Sequence, residues 1–480
     1  MSVRRTASDC SVCLSAKFGC MKLVLKPTLF LAALMLVGGS LGDIYGRRRI
    51  YAAGVTIFAV TSVFCGLAAN INQLIVGRAL QGIGAALLVP GSLAIISASF
   101  PHRERGRAIG TWSGFTSITA AIGPVLGGFL IEYGSWRWVF FINVPIALIV
   151  LILTFWRVPE SRNPRSDGRL DWLGAGLATV GIGGFIYALI ESSGRGWNDS
   201  AVTSAFFSGV IALTAFVVVE ARSTAPLLPL SLFRSRNFSG ANMLTLFLYG
   251  ALSGLLFFFP LNLIQAQGYS ATSAGAAMLP FILLMFLLSR WSGGLVDRYG
   301  PRRPLVVGPL VVALGFALFA IPSTGAHYWT TFFPAVLVLS LGMAITVAPL
   351  TTTVMNSVRD EHVGTASGIN NAVSRLAGVL SIAALGVVML ASFNRHLSAH
   401  LAGMSLEPGI RQEIEIQRVK LAAIEIPPGV DRQLREEIQR SIAASFVSGF
   451  RIVMIVASGL ATLSALTAIL FLGKSGSDGS

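Results

Sequence analysis

The fold is decided by the segment LMLVGGSLGDIYGRRRIY at residues 35–52, where an apolar run ends in Asp43 and three arginines follow at once. Nearly the same pattern returns as SGGLVDRYGPRR at residues 292–303, with Asp297 in the place of Asp43. The two aspartates are 254 positions apart. An apolar run that stops at a basic cluster is typical of a transmembrane helix followed by a cytoplasmic loop.

A second pair of segments repeats with the same spacing. GTWSG begins at Gly110 and GTASG at Gly364, again 254 positions apart. Two matches at one offset indicate a parallel duplication of membrane halves, a layout known from membrane transporters. In the second copy an apolar run at 240–264 precedes the run that ends at Asp297, and its counterpart would lie mostly before Met1. We therefore expect the first copy to lack its opening helix.

The composition indicates that lipid is the chain's natural solvent. Charged residues make up 12% and apolar residues 54% of the 480 residues, whereas soluble proteins carry about 25% charge. Runs of about 20 apolar residues, each long enough to cross the ~30 Å hydrocarbon layer, recur along the chain. We predict an all-α, polytopic membrane protein of about thirteen helices, with spans at 24–42, 50–69, 73–97, 107–131, 138–156, 171–190, 201–219, 240–264, 271–289, 304–322, 330–350, 366–392 and 446–472.

The net charge of +15 is distributed in a way that sets the orientation of the chain. Basic residues gather in alternate loops, such as 47–49, 157–169 and 298–303, while the loops between them, such as 68–72, are nearly bare. This is the positive-inside pattern, so the arginine-rich loops face the cytoplasm. It predicts a multi-pass protein of the cytoplasmic membrane and leaves nucleic-acid binding as a poor explanation of the charge.

Five regions follow from these patterns. The chain would begin with an atypical N-terminal segment at 1–23, followed by a helix bundle without its first helix at 24–157. Two extra central transmembrane helices would follow at 171–219. A C-terminal bundle at 240–472 would contain an extracytoplasmic hairpin loop at 394–445. The first region differs in composition from the rest, and we interpret it as the result of a mis-assigned start or a frameshift. The hairpin loop carries balanced charge at helical spacing, which predicts a solvated or interface-lying helical hairpin; an arm that binds a partner is the alternative.

The opening segment resembles the signature of the major facilitator superfamily, in the loop after the family's second helix. Glycines permit close helix approach, and a carboxylate can both satisfy a helix N-terminus and pair with arginine. The resemblance implies that this loop holds one conformation of a transport cycle; a plain topology signal is the alternative. The implied gating residues here and in the second copy are Gly39, Asp43, Gly46, Arg47, Asp297 and Arg298.

The segment LIVGRALQGIGAALLVPGS at 74–92 resembles the family's fourth helix. It puts Arg78 about 9 Å into a helix that is entered near Asn72, and an arginine inside a bilayer normally faces a partner or a cavity. The resemblance implies that Arg78, with Gln81, takes part in proton coupling, as Asp43 and Arg375 would elsewhere. Snorkelling of the arginine to the outer interface is the alternative.

Three further segments resemble fourteen-span drug:proton antiporters of the EmrB/QacA type. GFTSITAAIGPVLGG (114–128) resembles the antiporter motif of the fifth helix, which implies export and a gating role for four residues, Gly123, Pro124, Gly127 and Gly128. WRWVFFINVP (136–145) and the two central spans fit the same family. GTASGINNAVSRLAGVLSIAALG (364–386) fits its penultimate helix, and we expect cavity residues at Trp112, Asn370 and Asn371. A structural role for Arg375 is nearly as plausible.

The resemblance implies alternating access, in which inward proton flow drives export of amphipathic organic compounds by a monomer. No phosphate loop, metal cluster or nucleophile arrangement occurs in the sequence, so we expect no cofactor, no metal and no enzymatic activity. The spans contain no carboxylate at mid-depth, since the acidic residues lie at span ends, namely Asp43, Glu132, Asp171, Glu191, Glu220 and Asp297. We therefore expect Arg78 to lack an acidic partner and the 480-residue chain alone not to transport. The alternatives are a carrier of sugars or other metabolites and a truncated, non-transporting remnant.

Overall fold

The structure is a computed structural model that describes most of the chain after the first apolar residues. The described residues are 34–162, 171–223, 226–404, 406–427 and 429–473. The predicted segment 1–23 and the first part of the predicted span 24–42 lie outside them. The described residues form helices and contain no β-strand, which confirms the predicted all-α fold.

The described residues up to Arg222 form eight helices. They are α1 (Leu34–Tyr45), α2 (Arg47–Leu67), α3 (Ile71–Ser99), α4 (His102–Tyr133), α5 (Trp138–Phe141), α6 (Asn143–Arg157), α7 (Trp172–Arg195) and α8 (Ser200–Arg222). A short linker with a 3-10 turn at Leu230–Arg234 leads to the second part.

The second part begins with α9. Its helices are α9 (Arg236–Leu261), α10 (Ala271–Ala276), α11 (Leu279–Gly293), α12 (Leu295–Tyr299), α13 (Arg302–Phe319), α14 (Phe333–Asn356), α15 (Val363–Ala402), α16 (Pro408–Ile416) and α17 (Arg432–Phe471). Eleven helical segments of the described residues are long and apolar enough to cross a membrane. Every predicted span after the first coincides with a helix or helix pair, including 107–131 within α4.

Polar side chains before the apolar runs explain where several helices begin. Asn70 precedes α3 and its side chain accepts a hydrogen bond from the Gln73 amide at 2.9 Å. Asp199 does the same for α8, and Ser235 does so for α9. The first amides of a helix have no partner within the helix, so such a side chain stabilises the start by about 1 kcal/mol.

The described residues divide into two compact units. The first consists of residues up to Pro101, Gly123–Arg234 and Val358–Ala372. In it α2 packs along α3 and α6, and α7 packs along α8. The α2–α3 crossing is close because glycines face each other: a Cβ on Gly54 would lie 2.9 Å from the Gly84 carbonyl oxygen.

The second unit consists of His102–Ile122, Ser235–Ser357 and Val373–Ser480. Here α17 packs on α9 and α13, and α14 packs on α13 and α11. An aromatic cluster fills the core where these helices meet, with the Phe259 ring centred 5.0 Å from Phe319 and 5.5 Å from Phe332. Two helices, α4 and α15, contribute residues to both units, and the predicted domain boundaries remain a prediction.

The predicted hairpin at 394–445 consists of helix ends and a short folded segment. α15 and α17 each have 40 residues, which is about 60 Å of helix and therefore longer than the ~30 Å hydrocarbon layer requires. Between them lie α16 and a 3-10 turn at Arg418–Ala423, which contacts both α17 and the turn Asn262–Ala266 that ends α9.

Candidate functional site

The first site residue, Asp43, is buried near the end of α1. It is 4% exposed, as is Arg47 at the first position of α2. The Arg47 guanidinium donates two hydrogen bonds to Asp43 Oδ1, from Nε at 3.0 Å and from Nη2 at 2.9 Å. The two residues therefore form a buried ion pair four positions apart.

The same carboxylate accepts hydrogen bonds from the N-terminus of α15. The Gly364 amide donates to Oδ1 at 3.2 Å, and the Thr365 amide donates to Oδ2 at 2.8 Å. The Thr365 hydroxyl also lies 3.3 Å from Oδ2, and Arg47 Nη2 donates to the Asp360 carbonyl at 2.5 Å. These amides are among the unpaired donors of a helix start, which also carries partial positive charge. We call Asp43, Arg47, Gly364 and Thr365 the Asp43 cluster.

Glycines allow the helices of this cluster to approach. A Cβ on Gly39 would overlap the Gly364 carbonyl, and one on Gly368 would lie 2.7 Å from the Met35 carbonyl oxygen. Gly46 has φ +106°, a conformation that side chains rarely adopt, and it precedes α2 directly. The close contact at Gly39 and the positive φ at Gly46 explain why glycine is needed at these two positions. The gating role of both residues remains a prediction.

The second copy of the motif has a different environment. Asp297 in α12 is exposed, and partial burial raises the pKa of its carboxyl although the nearby Arg107 guanidinium acts in the opposite direction. Arg298 lies over the Tyr299 ring, 5.3 Å from its centroid. The glycine crossing is nevertheless repeated here, because a Cβ on Gly106 would overlap the Gly293 carbonyl. The two aspartates thus match in sequence but not in burial.

Arg78 lies in a polar cluster among the apolar faces of α2, α3 and α6. Its Nη1 donates to Gln81 Oε1 at 2.5 Å, and Gln81 Nε2 donates to the Ser62 hydroxyl at 2.6 Å. Asn143 Nδ2 donates to the same hydroxyl at 3.3 Å. The guanidinium also faces the Phe140 ring, 6.0 Å from its centroid. We call Arg78, Gln81, Ser62 and Asn143 the Arg78 cluster.

This cluster is nearly closed to solvent at its centre. Ser62 is fully buried and Gln81 is 2% exposed. None of the ion pairs among the described residues involves Arg78. Among the described residues, the side-chain acceptor of the Arg78 guanidinium is the Gln81 amide oxygen, and the absence of an acidic partner stays a prediction.

The predicted antiporter motif lies within α4, whose helix continues through Gly123, Pro124, Gly127 and Gly128. A Cβ on Gly123 would meet open space. Trp112, on the same helix, is half-buried.

The remaining predicted residues all lie in α15. Asn370 and Asn371 are half-buried, and Asn371 Nδ2 donates to the Ser367 carbonyl at 2.9 Å. Arg375 has an exposed side chain that interacts electrostatically with Tyr249 of α9. Their assignment to a substrate cavity remains a prediction.

Sequence reasoning missed several partners that the structure brings to these clusters. Thr365 lies 322 positions after Asp43, and Asn143 lies 81 positions after Ser62. No local pattern marks such residues, because the choice of partner depends on how each helix is rotated about its axis. The one available signal was the repeated GT-x-SG segment that contains Thr365.

Comparisons with known proteins place these features in a family. A family model described as Major Facilitator Superfamily matches residues 23–382. Multidrug resistance protein Stp of Mycobacterium tuberculosis is 32% identical over 448 residues, which are 90% of this chain and 81% of that protein. The tetracenomycin C resistance and export protein of Streptomyces glaucescens is 30% identical over 443 residues, 92% of this chain and 82% of that protein.

A third relative and a solved structure agree with these matches. The methylenomycin A resistance protein of Bacillus subtilis is 34% identical over 375 residues, 77% of this chain and 78% of that protein. The crystallised proton:xylose symporter XylE shares the fold with a TM-score of 0.59 at 16% identity, over 94% of this chain and 86% of that chain.

Proposed function

Because the chain belongs to the Major Facilitator Superfamily, we propose that it is a secondary transporter that exports amphipathic organic compounds. The membership confirms the resemblance seen in the Asp43 segment, and the chain is a multi-pass protein of the cell membrane. Export is supported by relatives that are named as resistance or export proteins and that match this chain over most of their length. Members of this family are carriers, so we propose that the chain is not an enzyme and that it works as a monomer.

The observation that carries the mechanism is the Asp43 cluster. A buried carboxylate that holds both Arg47 and the amides of α15 fixes this helix start against α1. Alternating access requires contacts that form in one conformation and break in another. The cluster can serve as such a contact, because its hydrogen bonds join the end of α1 to the start of α15.

Proton coupling is the second part of the proposal, and the Arg78 cluster supports it. A fixed arginine within apolar helices raises the positive potential around it, so a neighbouring group that gains or loses a proton changes the local balance strongly. The Gln81 and Ser62 side chains hold the guanidinium in place.

The test is efflux of a fluorescent amphipathic cation from cells that express the chain. The proposed export predicts lower accumulation than in cells without the chain, and a proton uncoupler should abolish the difference. Equal accumulation would instead agree with the expectation, drawn from the sequence, that the 480-residue chain alone does not transport. Arg78→Gln should also abolish the difference, whereas Arg49→Gln, at a side chain that is 74% exposed, should not. Export that survives the uncoupler would overturn proton coupling, and no export of any amphipathic dye would favour the non-transporting alternative.

A further inference from the structure

Two acidic side chains converge where α7 begins and α8 ends, outside the clusters described above. Asp171 precedes α7, and Glu220 lies in the last turn of α8 and is 3% exposed. The basic loops at 157–169 and 222–236 lie next to these residues in the chain. By the positive-inside pattern, the pair is on the cytoplasmic side.

In each carboxylate, one oxygen accepts a hydrogen bond from a backbone amide. Asp171 Oδ1 accepts a hydrogen bond from the Gly174 amide at 2.7 Å. Glu220 Oε2 accepts one from the Leu228 amide at 2.9 Å. The other oxygens, Asp171 Oδ2 and Glu220 Oε1, are buried and have no hydrogen-bond partner among the described residues.

Both of these oxygens lie beside Gly174. A Cβ built on Gly174 would lie 2.6 Å from Glu220 Oε1 and 2.9 Å from Asp171 Oδ2. The oxygens are therefore separated by no more than the sum of these distances, 5.5 Å. Within the described part of the chain, Asp171 is the charged group that acts on Glu220, and Arg222, two positions after Glu220, is exposed.

Two ionised carboxylates in this arrangement would be unstable. Like charges at short range disfavour each other's ionisation, and burial without a cation adds a desolvation cost of several kcal/mol. One proton removes both problems, because a carboxyl O–H on one residue supplies the donor that the other oxygen lacks. A divalent cation fits less well, since it takes about six or more oxygen ligands and two converge here.

We propose that Asp171 and Glu220 form a proton-binding site that holds one shared proton at the cytoplasmic end of the two central helices. The site is separate from the Arg78 cluster. It joins the start of α7 to the end of α8 and to the 226–228 segment that follows.

A continuous set of hydrogen bonds connects this site to the Asp43 cluster. Leu228 donates to Glu220, and the carbonyl of Leu227 accepts from the Ser40 hydroxyl at 3.1 Å. Ser40 Oγ lies 3.3 Å from Thr365 Oγ1, and Thr365 belongs to the Asp43 cluster. Loss of the shared proton would therefore loosen the segment that supports Ser40, so cytoplasmic pH would act on the helix start of α15.

The first test is infrared spectroscopy of the full chain in lipid vesicles, recorded from acidic to alkaline pH in water and heavy water. The wild type should show a carboxylic-acid C=O band at neutral pH that disappears at alkaline pH. Glu220→Gln and Asp171→Asn should each lose it, because an amide N–H then satisfies the remaining carboxylate. Glu191→Gln is the matched control, since Glu191 is equally buried but is paired with Arg195 at 3.2 Å, and it should keep the band.

A second pair of variants leaves both carboxylates in place. Gly174→Ala inserts a methyl group between the two free oxygens and should remove the band. Gly176→Ala, whose Cβ would meet open space, should not. An unchanged band in Glu220→Gln, Asp171→Asn and Gly174→Ala would overturn the proposal. So would a neutral-pH wild type without the band that is stabilised by added sodium or calcium, because the site would then bind a cation.

The connection to the Asp43 cluster has its own readout. At alkaline pH the Thr365 region of the wild type should exchange its amide hydrogens faster than that of Glu220→Gln, which cannot lose the bridging hydrogen. Equal amide exchange of the Thr365 region in both proteins would show that protonation of the Asp171–Glu220 site does not affect the Asp43 cluster. None of these measurements requires transport, so they do not depend on the proposed function.

Discussion

The Asp43→Asn substitution tests the Asp43 cluster most directly. The amide removes the negative charge that Arg47 pairs with, and its NH2 group cannot accept the hydrogen bonds that one carboxylate oxygen accepts from Thr365. Arg47, which is 4% exposed, then keeps a buried charge without its partner. Breaking a buried pair in this way costs about 3–5 kcal/mol.

This loss of free energy weakens the contact between residue 43 and the start of α15. Gly364 and Thr365 lie in the first turn of α15, where amides have no acceptor within the helix. Their protection from hydrogen exchange therefore reports the contact itself. If about 3 kcal/mol of the cost appears in the opening equilibrium, their exchange should be roughly 100-fold faster in the variant.

The assay is hydrogen–deuterium exchange of the peptide around Thr365, with Arg49→Gln as the control. Arg49 lies 3.7 Å from Glu160 but its side chain is 74% exposed, and such surface pairs contribute about 0–1 kcal/mol. Its removal should leave the exchange within a few-fold of the wild type. Unchanged exchange in Asp43→Asn, or an equal increase in both variants, would refute the role assigned to Asp43.

Two further predictions concern folding stability, measured by thermal unfolding in detergent. Gly46→Ala should destabilise the protein by about 1–3 kcal/mol because of the positive φ at Gly46. The control Gly275→Ala places its Cβ in open space in α10 and should be neutral or slightly stabilising. Equal effects of the two substitutions on stability would contradict the argument from the backbone conformation of Gly46. Ser62→Ala should cost about 1–3 kcal/mol because it leaves the buried Gln81 amide without its acceptor. Ser448→Ala removes a hydroxyl that bonds only within its own helix and should cost less, so a reversed order would argue against the Arg78 cluster.

The Asp171–Glu220 pair and the Arg78 cluster illustrate the limit of reasoning from hydropathy. Both acidic residues lie at span ends in the sequence, where an exposed carboxylate is ordinary. The packing of α7 on α8 brings the buried Glu220 close to the half-buried Asp171. In the same way, the sequence predicts that Arg78 faces a partner or a cavity, but its contacts with Gln81 and the neighbouring polar groups follow from the crossing of α2, α3 and α6.

The orientation that the sequence predicts stays a prediction, whereas the sequence alone determined the membrane class, the internal duplication and the positions of most of the described helices. These are local properties, because a lipid-spanning segment must bury its backbone polar groups within its own helix and must be about 20 apolar residues long. The tertiary structure decided which polar groups meet. Asp43 and Asp297 occupy equivalent positions in the repeat, yet one is buried against the amides of α15 and the other is exposed. That difference depends on helix rotation and on contacts between residues hundreds of positions apart, which no local pattern records.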